Sequence, residues 1–290
     1  MHRHISFYLV SREHRLSHSK PVEKMIPHTI ERFEIALNTS AGHITTAVEV
    51  PTGFVPVTAI VPLIRRLGEE AQALEVSRLS DAGKIPSCQK GCAACCRMLV
   101  PLSAPEAFAL REWVESRPTE QQVLIAARFA ETKSQLLAKG LWQRLSELCN
   151  APDQPNDDAL EDLNREYYTL RMPCPFLEEE MCTIYDERPA ACRELLVTSP
   201  PERCDDLINN PVEPISAPVL VSTVLGLLWH ELRKSPTRLI PLPVALDWAK
   251  GHEQENRQTW KGVELLDGAL DKTWRFLRQS MSRSGQDSVR

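Results

Sequence analysis

The pattern of hydrophobic and polar positions divides the chain into a short strand region and a longer helical region. Across residues 32–50 apolar and polar residues alternate on either side of a turn at 38–42, which predicts a β-hairpin. Over residues 58–80 the apolar residues recur at helical spacing instead, with Pro62 in the first turn, where proline is tolerated. The N-terminal part therefore predicts a hairpin followed by a helix.

Two capping boxes predict where the next helices begin. Ser103 is followed by Glu106, and Thr119 by Gln122, each pair beside a proline. The second of these helices is expected to run to about residue 148. Further helices are expected in four ranges, 159–170, 218–233, 243–254 and 259–281. Tryptophans lie along the last three and are interpreted as core anchors: Trp229, Trp248, Trp260 and Trp274.

These patterns also predict the domain organisation. Residues 1–28 are polar, rich in His and Arg, and without hydrophobic period, so we expect a disordered tail, with Met25 as an alternative start. Residues 29–281 are expected to form a single globular domain with a cysteine-cluster core at about 80–210. Residues 282–290 are expected to form a second disordered tail.

Composition and charge narrow the classes of function. The chain has 290 residues, 42% of them hydrophobic, and a net charge of −5, so no basic field favours nucleic acid. The longest apolar run, 218–229, is shorter than the roughly 20 residues of a membrane span. We find no secretory signal and expect a cytoplasmic protein, where thiols stay reduced. Clustered cysteines in that compartment indicate metal binding or catalysis rather than structural disulfides.

Eight of the nine cysteines fall in two blocks, and Cys149 stands apart. A buried cysteine normally occurs singly as a small hydrophobic residue, so packing does not account for this clustering. Thiolates held so close together would repel one another unless cations neutralise them. The blocks therefore predict a metal centre. Their members are Cys88, Cys92, Cys95 and Cys96 in the first block and Cys174, Cys182, Cys192 and Cys204 in the second.

The spacing leaves the metal open. Cys88-x₃-Cys92-x₂-Cys95 suits a Cys₄ zinc site and equally an iron–sulfur cluster with a distant fourth ligand. Cys96 directly follows Cys95, and neighbouring residues project in different directions, so the two are not expected to share one tetrahedral ion. Eight thiols would suit one cluster with spare thiols, two Cys₄ sites or a binuclear site. The same triad has the spacing of radical S-adenosylmethionine enzymes, although the alternating strands and helices of their partial barrel are not evident.

Two arginines are candidates to support the sulfurs. Arg97 and Arg193 each directly follow a cysteine and could hydrogen-bond a sulfur. The chain shows no nucleophile–base pair and no paired-carboxylate site, which argues against hydrolytic chemistry.

The two blocks in order resemble the YkgJ-like cysteine-cluster family, which is described as chelating zinc or iron. The motifs are Cys-x₃-Cys-x₂-Cys-Cys, Cys-Pro-Phe-Leu and Cys-x-Ile-Tyr-x-x-Arg-Pro-x-x-Cys-Arg. The resemblance implies that all eight clustered cysteines bind metal, Cys204 being the one in the most variable surroundings. It also makes Tyr185 and Arg188 motif positions. Two roles are open for Tyr185: its hydroxyl could donate a hydrogen bond to a thiolate, or its ring could only pack against neighbouring residues.

We expect an iron–sulfur protein, with a [4Fe–4S] cluster, acting in redox or electron-transfer chemistry with a redox or protein partner. A structural zinc protein is the alternative. A radical S-adenosylmethionine enzyme is the second alternative, because flagellin lysine N-methylases are similar in the same cysteine pattern. The expected fold is mainly α (α+β), a helical domain with a small N-terminal β-hairpin and an irregular Cys-rich metal-binding lobe.

Overall fold

The computed structural model describes residues 29–151 and 157–287. The N-terminal tail predicted over 1–28, with Met25, lies outside the described residues. The last helix runs to Asp287, through the first part of the predicted C-terminal tail, and residues 288–290 are not described. The expected division into one domain and two tails stays a prediction.

The fold begins with the predicted hairpin. Strands β1 (Ile30–Thr39) and β2 (Gly42–Pro51) pair antiparallel, with Thr39 opposite Gly42 at the turn. Their inward residues alternate with exposed ones, so that Ile35, Leu37, Ile44, Val48 and Val50 are buried. This buried face packs against the first and last long helices of the chain. The hairpin is thus held by helices, as a two-stranded sheet requires.

The rest of the chain is mainly helical, which confirms the predicted fold class. The helices are α1 (Val61–Asp81), α2 (Ala104–Glu115), α3 (Thr119–Ala138), α4 (Leu141–Asn150), α5 (Asp157–Thr169), α6 (Ala190–Glu194), α7 (Val221–Arg233), α8 (Leu242–Gly251), α9 (Glu253–Asn256) and α10 (Gly262–Asp287). The remaining strands are short: β3 (Phe54–Pro56), β4 (Pro101–Leu102), β5 (Leu177–Glu178), β6 (Met181–Cys182), β7 (Leu196–Val197), β8 (Pro214–Ile215), β9 (Ile240–Pro241) and β10 (Thr259–Lys261). In the part of the chain described, no helix combines the length and apolarity needed to cross a membrane.

The core of the helical bundle lies around α2, which packs against α7 and α8. Phe108 of α2 is 1% exposed, and its ring centroid lies 5.6 Å from that of Trp229 and 5.2 Å from that of Trp248. Trp260 extends this aromatic cluster, 6.0 Å from Trp229. Three of the four predicted core tryptophans therefore belong to the core. The fourth prediction was wrong, because Trp274 is 39% exposed and stacks against the Arg278 guanidinium.

The helix boundaries differ from the predictions at several places, for example where the helix predicted over 243–254 is divided into α8 and α9. The helix expected from 119 to 148 is broken at Gly140, whose φ of 70° is left-handed and costs glycine little. Thr119 is the first helical residue rather than a side-chain cap, and Gln122 donates to the carbonyls of Glu115 and Arg117. The segment expected as one helix from 259 begins as strand β10, which pairs with β3.

The cysteine-rich lobe consists of residues 84–103 and 171–220 and contains little regular structure. Its elements are pairs of two-residue strands, the short helix α6 and three 3-10 turns, Ala94–Arg97, Tyr185–Glu187 and Pro201–Asp206. It is tied to the bundle through β4, which pairs with β9, and through a bond from the Val221 amide to the Glu194 carboxylate of 2.7 Å.

Candidate metal centre

The first cysteine block folds as two tight turns. Gly91 has a φ of 96°, which a residue with a side chain rarely adopts, and the Cys92 amide donates to the Gln89 carbonyl at 3.0 Å. The 3-10 turn Ala94–Arg97 then carries the adjacent pair Cys95 and Cys96. The first block therefore presents four thiols within nine residues of tight turns, with no α-helix or strand between them.

The second block joins the first through the backbone. The Cys174 amide donates to the Cys96 carbonyl at 2.7 Å, so the two blocks meet at that point. Beyond Cys174 the chain forms the β5–β6 hairpin, in which Cys182 lies opposite Leu177. The turn of this hairpin places Glu179 and Glu180 at positive φ, a conformation that costs about 1–3 kcal/mol per non-glycine residue.

The last two cysteines arrive from further along the chain. Cys192 lies in α6, and Cys204 lies in the 3-10 turn Pro201–Asp206, which packs against the turn Ala94–Arg97. The Tyr168 hydroxyl fixes this second turn by accepting from the Leu207 amide at 3.1 Å and donating to the Asp205 carbonyl at 3.2 Å. All eight clustered cysteines are partly buried, and all nine in the chain are free thiols.

Electrostatic interactions link the eight thiols into one group, with Cys95 at its centre. A thiolate at Cys95 raises the pKa of thiols in both blocks; these are Cys88, Cys96, Cys174, Cys182, Cys192 and Cys204. Cys92 belongs to the same group, because its charge acts on Cys88 and Cys204. The structure therefore brings together the whole set that the sequence predicted.

The adjacent thiols Cys95 and Cys96 differ in character. The Cys96 thiol donates a hydrogen bond to the Cys95 sulfur, which lowers the pKa of Cys95 to about 7. The same bond, together with burial, raises the pKa of Cys96. Thiolate is the species that binds metal, so Cys95 is the better ligand of the two and Cys96 its hydrogen-bonding support.

Burial governs the other thiols. It raises the pKa of Cys88, Cys174, Cys182, Cys192 and Cys204, that of Cys174 to about 12. Such thiols stay protonated at neutral pH until a cation replaces the proton. The centre is therefore expected to release protons as it takes up metal.

Arg188 is the cation that acts on the largest number of these thiols among the described pKa shifts, and the sequence analysis did not single it out for that role. Its charge lowers the pKa of Cys88, Cys95 and Cys182, and it opposes the effect of burial at Cys192. The guanidinium lies 3.7 Å from the centroid of the Tyr185 ring and donates from Nε to the Tyr185 carbonyl at 2.9 Å. The Arg-Pro motif was the available signal, because Pro189 fixes the backbone directly after Arg188.

The two arginines chosen from the sequence are engaged elsewhere. Arg97 forms a two-pronged ion pair with Glu180, 2.6 Å at the shorter contact, and so ties the first block to the β5–β6 turn. Arg193 donates to the Arg188 carbonyl at 2.8 Å and pairs with Glu69 of α1. None of these hydrogen bonds and ion pairs includes a sulfur, although the pKa of Arg97 is raised chiefly by Glu180 and further by the charge of a Cys96 thiolate.

Tyr185, the third predicted cofactor-binding residue, packs against two cations. The Lys90 ammonium lies 5.1 Å from its ring centroid, and the Arg188 guanidinium lies 3.7 Å from it. Lys90 belongs to the first block, so this stack joins the two blocks a second time. Of the two roles considered for Tyr185, the described contacts are those of packing.

Glu106 positions the centre from inside the bundle, a role that the sequence analysis missed. Its side chain is fully buried and completes the predicted capping box with Ser103. The carboxylate also accepts from the Ala190 amide at 2.8 Å, at the N-terminus of α6, and from the Ser222 hydroxyl. It thereby fixes the helix that carries Cys192. The sequence predicted the capping contact with Ser103 but not the contacts with Ala190 and Ser222.

Cys149 does not belong to the centre. It is 1% exposed at the end of α4, and its Sγ donates to the Leu145 carbonyl at 3.1 Å. Burial raises the pKa of its thiol to about 12.

The chemistry of the clustered residues fits a thiophilic metal, because sulfur donors select zinc and iron–sulfur clusters over hard cations. The eight sulfurs lie in one region, but they do not surround a common point as the ligands of a bound metal ion would. Within residues 29–151 and 157–287, no group of three or more His, Cys, Asp or Glu side chains has the arrangement of a finished metal site.

The cysteine-rich segment matches a known family model. Residues 87–205 match the CxxCxxCC family model, described as "Putative zinc- or iron-chelating domain". All eight clustered cysteines fall inside that segment, and the predicted resemblance is confirmed there. No curated protein and no solved structure matches the chain.

Proposed function

Since residues 87–205 match the CxxCxxCC family model, described as "Putative zinc- or iron-chelating domain", we propose that this chain holds an iron–sulfur cluster on its clustered thiolates. The proposed cluster is of the [4Fe–4S] type, bound by four of the eight thiols. When bound, such a cluster takes up and releases single electrons. The proposed function is redox or electron-transfer chemistry with a partner protein.

The number of thiols around Cys95 is the observation that carries this proposal. A structural zinc ion takes four ligands, whereas six other cysteines interact electrostatically with Cys95. Hydrogen bonds and charges around the sulfurs tune the potential of a cluster. The Cys96 thiol and the Arg188 guanidinium supply that kind of surrounding here.

The residues of this chain divide the work. Cys95 is assigned first as a ligand, because its pKa of about 7 makes the thiolate available at neutral pH. Arg188 offsets the negative charge that collects when several thiols ionise. Lys90 and Tyr185 hold Arg188 in place, and Glu106 holds the helix that carries Cys192.

A structural zinc centre is the second candidate, favoured by the poor regular structure of the lobe. The longest α-helix of residues 171–220 is α6, with five residues, and the longest element is the six-residue 3-10 turn Pro201–Asp206, so little hydrogen-bonded structure stabilises that segment. A structural zinc site supplies about 10–16 kcal/mol of apparent binding energy, enough to fold such a region.

The deciding experiment is purification without oxygen from iron-replete cells, with iron, sulfide and zinc measured on one sample beside a visible spectrum. Brown protein with about four irons and equal sulfide, bleaching on addition of dithionite, is the expected result. Colourless protein with one or two zinc ions per chain would overturn the cluster and leave the structural role. Cys95→Ser is expected to lose the metal, and Cys149→Ser is the matched control that keeps it.

A further inference from the structure

The adjacent thiols Cys95 and Cys96 point in different directions, and this divides the eight clustered cysteines. Both lie in the 3-10 turn Ala94–Arg97, and a 3-10 helix has about three residues per turn. Side chains of neighbouring residues therefore leave its axis about 120° apart. A Cys₄ zinc site or a [4Fe–4S] cluster is complete with four thiolates, so the eight thiols are twice what one such centre takes.

One set of thiols gathers around the turn that carries Cys204. The Ser87 hydroxyl, directly before Cys88, donates to the Ser199 carbonyl at 2.6 Å and so joins the start of the first block to the start of this turn. The two 3-10 turns that carry Cys95 and Cys204 pack against each other. We call this group the Cys204 set; its members are Cys88, Cys92, Cys95 and Cys204.

A second set gathers around the β5–β6 hairpin. The Cys174 amide donates to the Cys96 carbonyl at 2.7 Å, so Cys96 is the member of the first block that meets this hairpin. The hairpin folds back at once, because the Leu177 amide donates to the Cys174 carbonyl at 2.8 Å and Cys182 lies opposite Leu177. We call this group the Cys174 set; its members are Cys96, Cys174, Cys182 and Cys192.

The electrostatic interactions among the thiols divide in the same way. The pKa of Cys204 is raised by burial and then by the other members of its own set and by Asp205. The pKa of Cys192 is raised by burial and then by two members of its own set and by Cys95. Among the described pKa shifts, Cys95 is the one member of the Cys204 set that acts on the Cys174 set. Cys95 therefore lies at the boundary of the two sets.

We propose that the Cys204 set and the Cys174 set are two separate metal sites, each filled independently of the other. The inference rests on the proposed function in that the thiols bind metal, with the cluster on one set and a second metal on the other. Cys96 supports Cys95 through its hydrogen bond while it is protonated, and it becomes the fourth ligand of the Cys174 set when metal displaces its proton. Among the described residues neither set is closed, so each site forms as metal draws its thiols together.

The test is titration of the metal-free, full-length protein with Co²⁺ in the absence of oxygen. Visible absorption of thiolate-bound Co²⁺ reports the ions bound, and the expected breakpoint is two ions per chain. A breakpoint at one ion per chain would overturn the proposal. The iron and sulfide assay decides the cluster separately, so colourless protein with two zinc ions would refute the cluster and support the two sites.

Thiol alkylation identifies the two sets in the unaltered chain, so this test does not depend on a variant that folds. The protein receives one equivalent of Co²⁺ and then N-ethylmaleimide, and intact molecules are fragmented in a mass spectrometer. Apart from the buried Cys149, the thiols protected in one molecule should be the four members of one set. Protection of Cys95 and Cys96 within the same group of four would overturn the division, and so would molecules with either all eight thiols protected or none.

One substitution tests the membership of the Cys204 set. Cys204→Ser should bind one Co²⁺ as tightly as the unaltered protein does and the second at least tenfold more weakly, because only one set has lost a ligand. Cys149→Ser is the matched control and should bind both ions unchanged, since its thiol lies outside both sets. A Cys204→Ser protein that binds both ions as the unaltered protein does would overturn the proposed sites.

Discussion

The helical bundle and the cysteine-rich lobe are stabilised by different means. In the bundle, large side chains such as Phe108, Trp229 and Leu225 are at most 1% exposed and pack against several helices at once. In the lobe, the eight clustered cysteines are only partly buried, and the strands are two residues long. Burial of apolar surface stabilises the first region, whereas the second depends on specific polar contacts and, in the proposed function, on a metal bound by its thiols.

The contrast indicates that the well-packed bundle anchors the less regular lobe. The bundle is stable enough to present fixed anchor points, among them Glu106 and the start of α7. The lobe can then keep its thiols in loops that adapt to a metal, because those loops begin and end on rigid elements.

The largest effect should come from removing a clustered thiol. Cys95→Ser or Cys182→Ser is expected to lose the metal and to unfold the lobe, since metal binding of the structural kind contributes about 10–16 kcal/mol. Hydrogen exchange measured by mass spectrometry should accelerate in residues 88–97 and 174–204 and remain slow in α2 and α8.

Cys149→Ser is the control for that prediction. Serine can still donate to the Leu145 carbonyl, so we expect unchanged metal content and a destabilisation of about 1 kcal/mol. Full metal content in Cys95→Ser and Cys182→Ser alike would contradict the division of the molecule into a metal-dependent and a metal-independent region.

A cavity in the bundle should have the next largest effect, and it should lower the stability of the bundle without lowering metal content. Phe108→Ala removes a ring that contacts Trp229 and Trp248, and we expect the free energy of unfolding to fall by about 3–5 kcal/mol. The protein that remains folded should carry its full complement of metal. Denaturant unfolding followed by metal analysis checks both points, with Phe54→Ala, 61% exposed, as a control expected to change stability by less than about 0.5 kcal/mol.

Glu106→Gln should affect both regions together. The amide would turn an N–H toward groups that now donate to a carboxylate, including the Ala190 amide and the Ser222 hydroxyl, at a cost of about 3 kcal/mol. Metal affinity should fall as well, because α6 would lose its anchor. Glu115→Gln, which alters an exposed pair with Arg111, is expected to change neither quantity. If Glu106→Gln lowered stability but left metal affinity unchanged, the coupling through α6 would be refuted.

Arg188→Met should have the smallest effect on stability and a clear effect on pH dependence. The positive charge lowers the pKa of Cys88, Cys95 and Cys182, so its removal raises those pKa values and lets protons displace the metal at a higher pH. We expect metal affinity to fall about 10–100-fold at neutral pH and the midpoint of acid-induced metal release to move upward. Titration with a chromophoric chelator measures both, and Arg128→Met, which breaks a surface pair with Glu178, is the control. An unchanged midpoint would remove Arg188 from its proposed role.

Periodicity and motif spacing predicted much of this molecule. The hairpin and the long helices follow from local patterns, and so does the grouping of the eight cysteines. The break at Gly140 was missed because the leucines on both sides keep a helical spacing, while the left-handed turn depends on one residue.

The supporting residues of the centre were harder to predict. Adjacency in the sequence suggested Arg97 and Arg193, and both form ion pairs with carboxylates, while Arg97 also interacts electrostatically with Cys96. Arg188, which no adjacency marks, acts on four of the thiols. Glu106 contacts Ala190, which is 84 positions away in the sequence, and Ser222, which is 116 positions away. No local sequence pattern predicts contacts over such separations.

The buried carboxylate of Glu106 bears on how this chain can be divided by an experimenter. A fragment cut at the borders of the family motif, 87–205, would keep every clustered thiol and Glu106 itself. It would lose Arg65 and Ser222, which contact the Glu106 carboxylate. It would also lose Val221, whose amide donates to Glu194 at the end of α6. The segment that can be recognised by its motif is thus smaller than the segment that must be expressed to obtain it folded, and minimal versions of this protein should include α1 and α7.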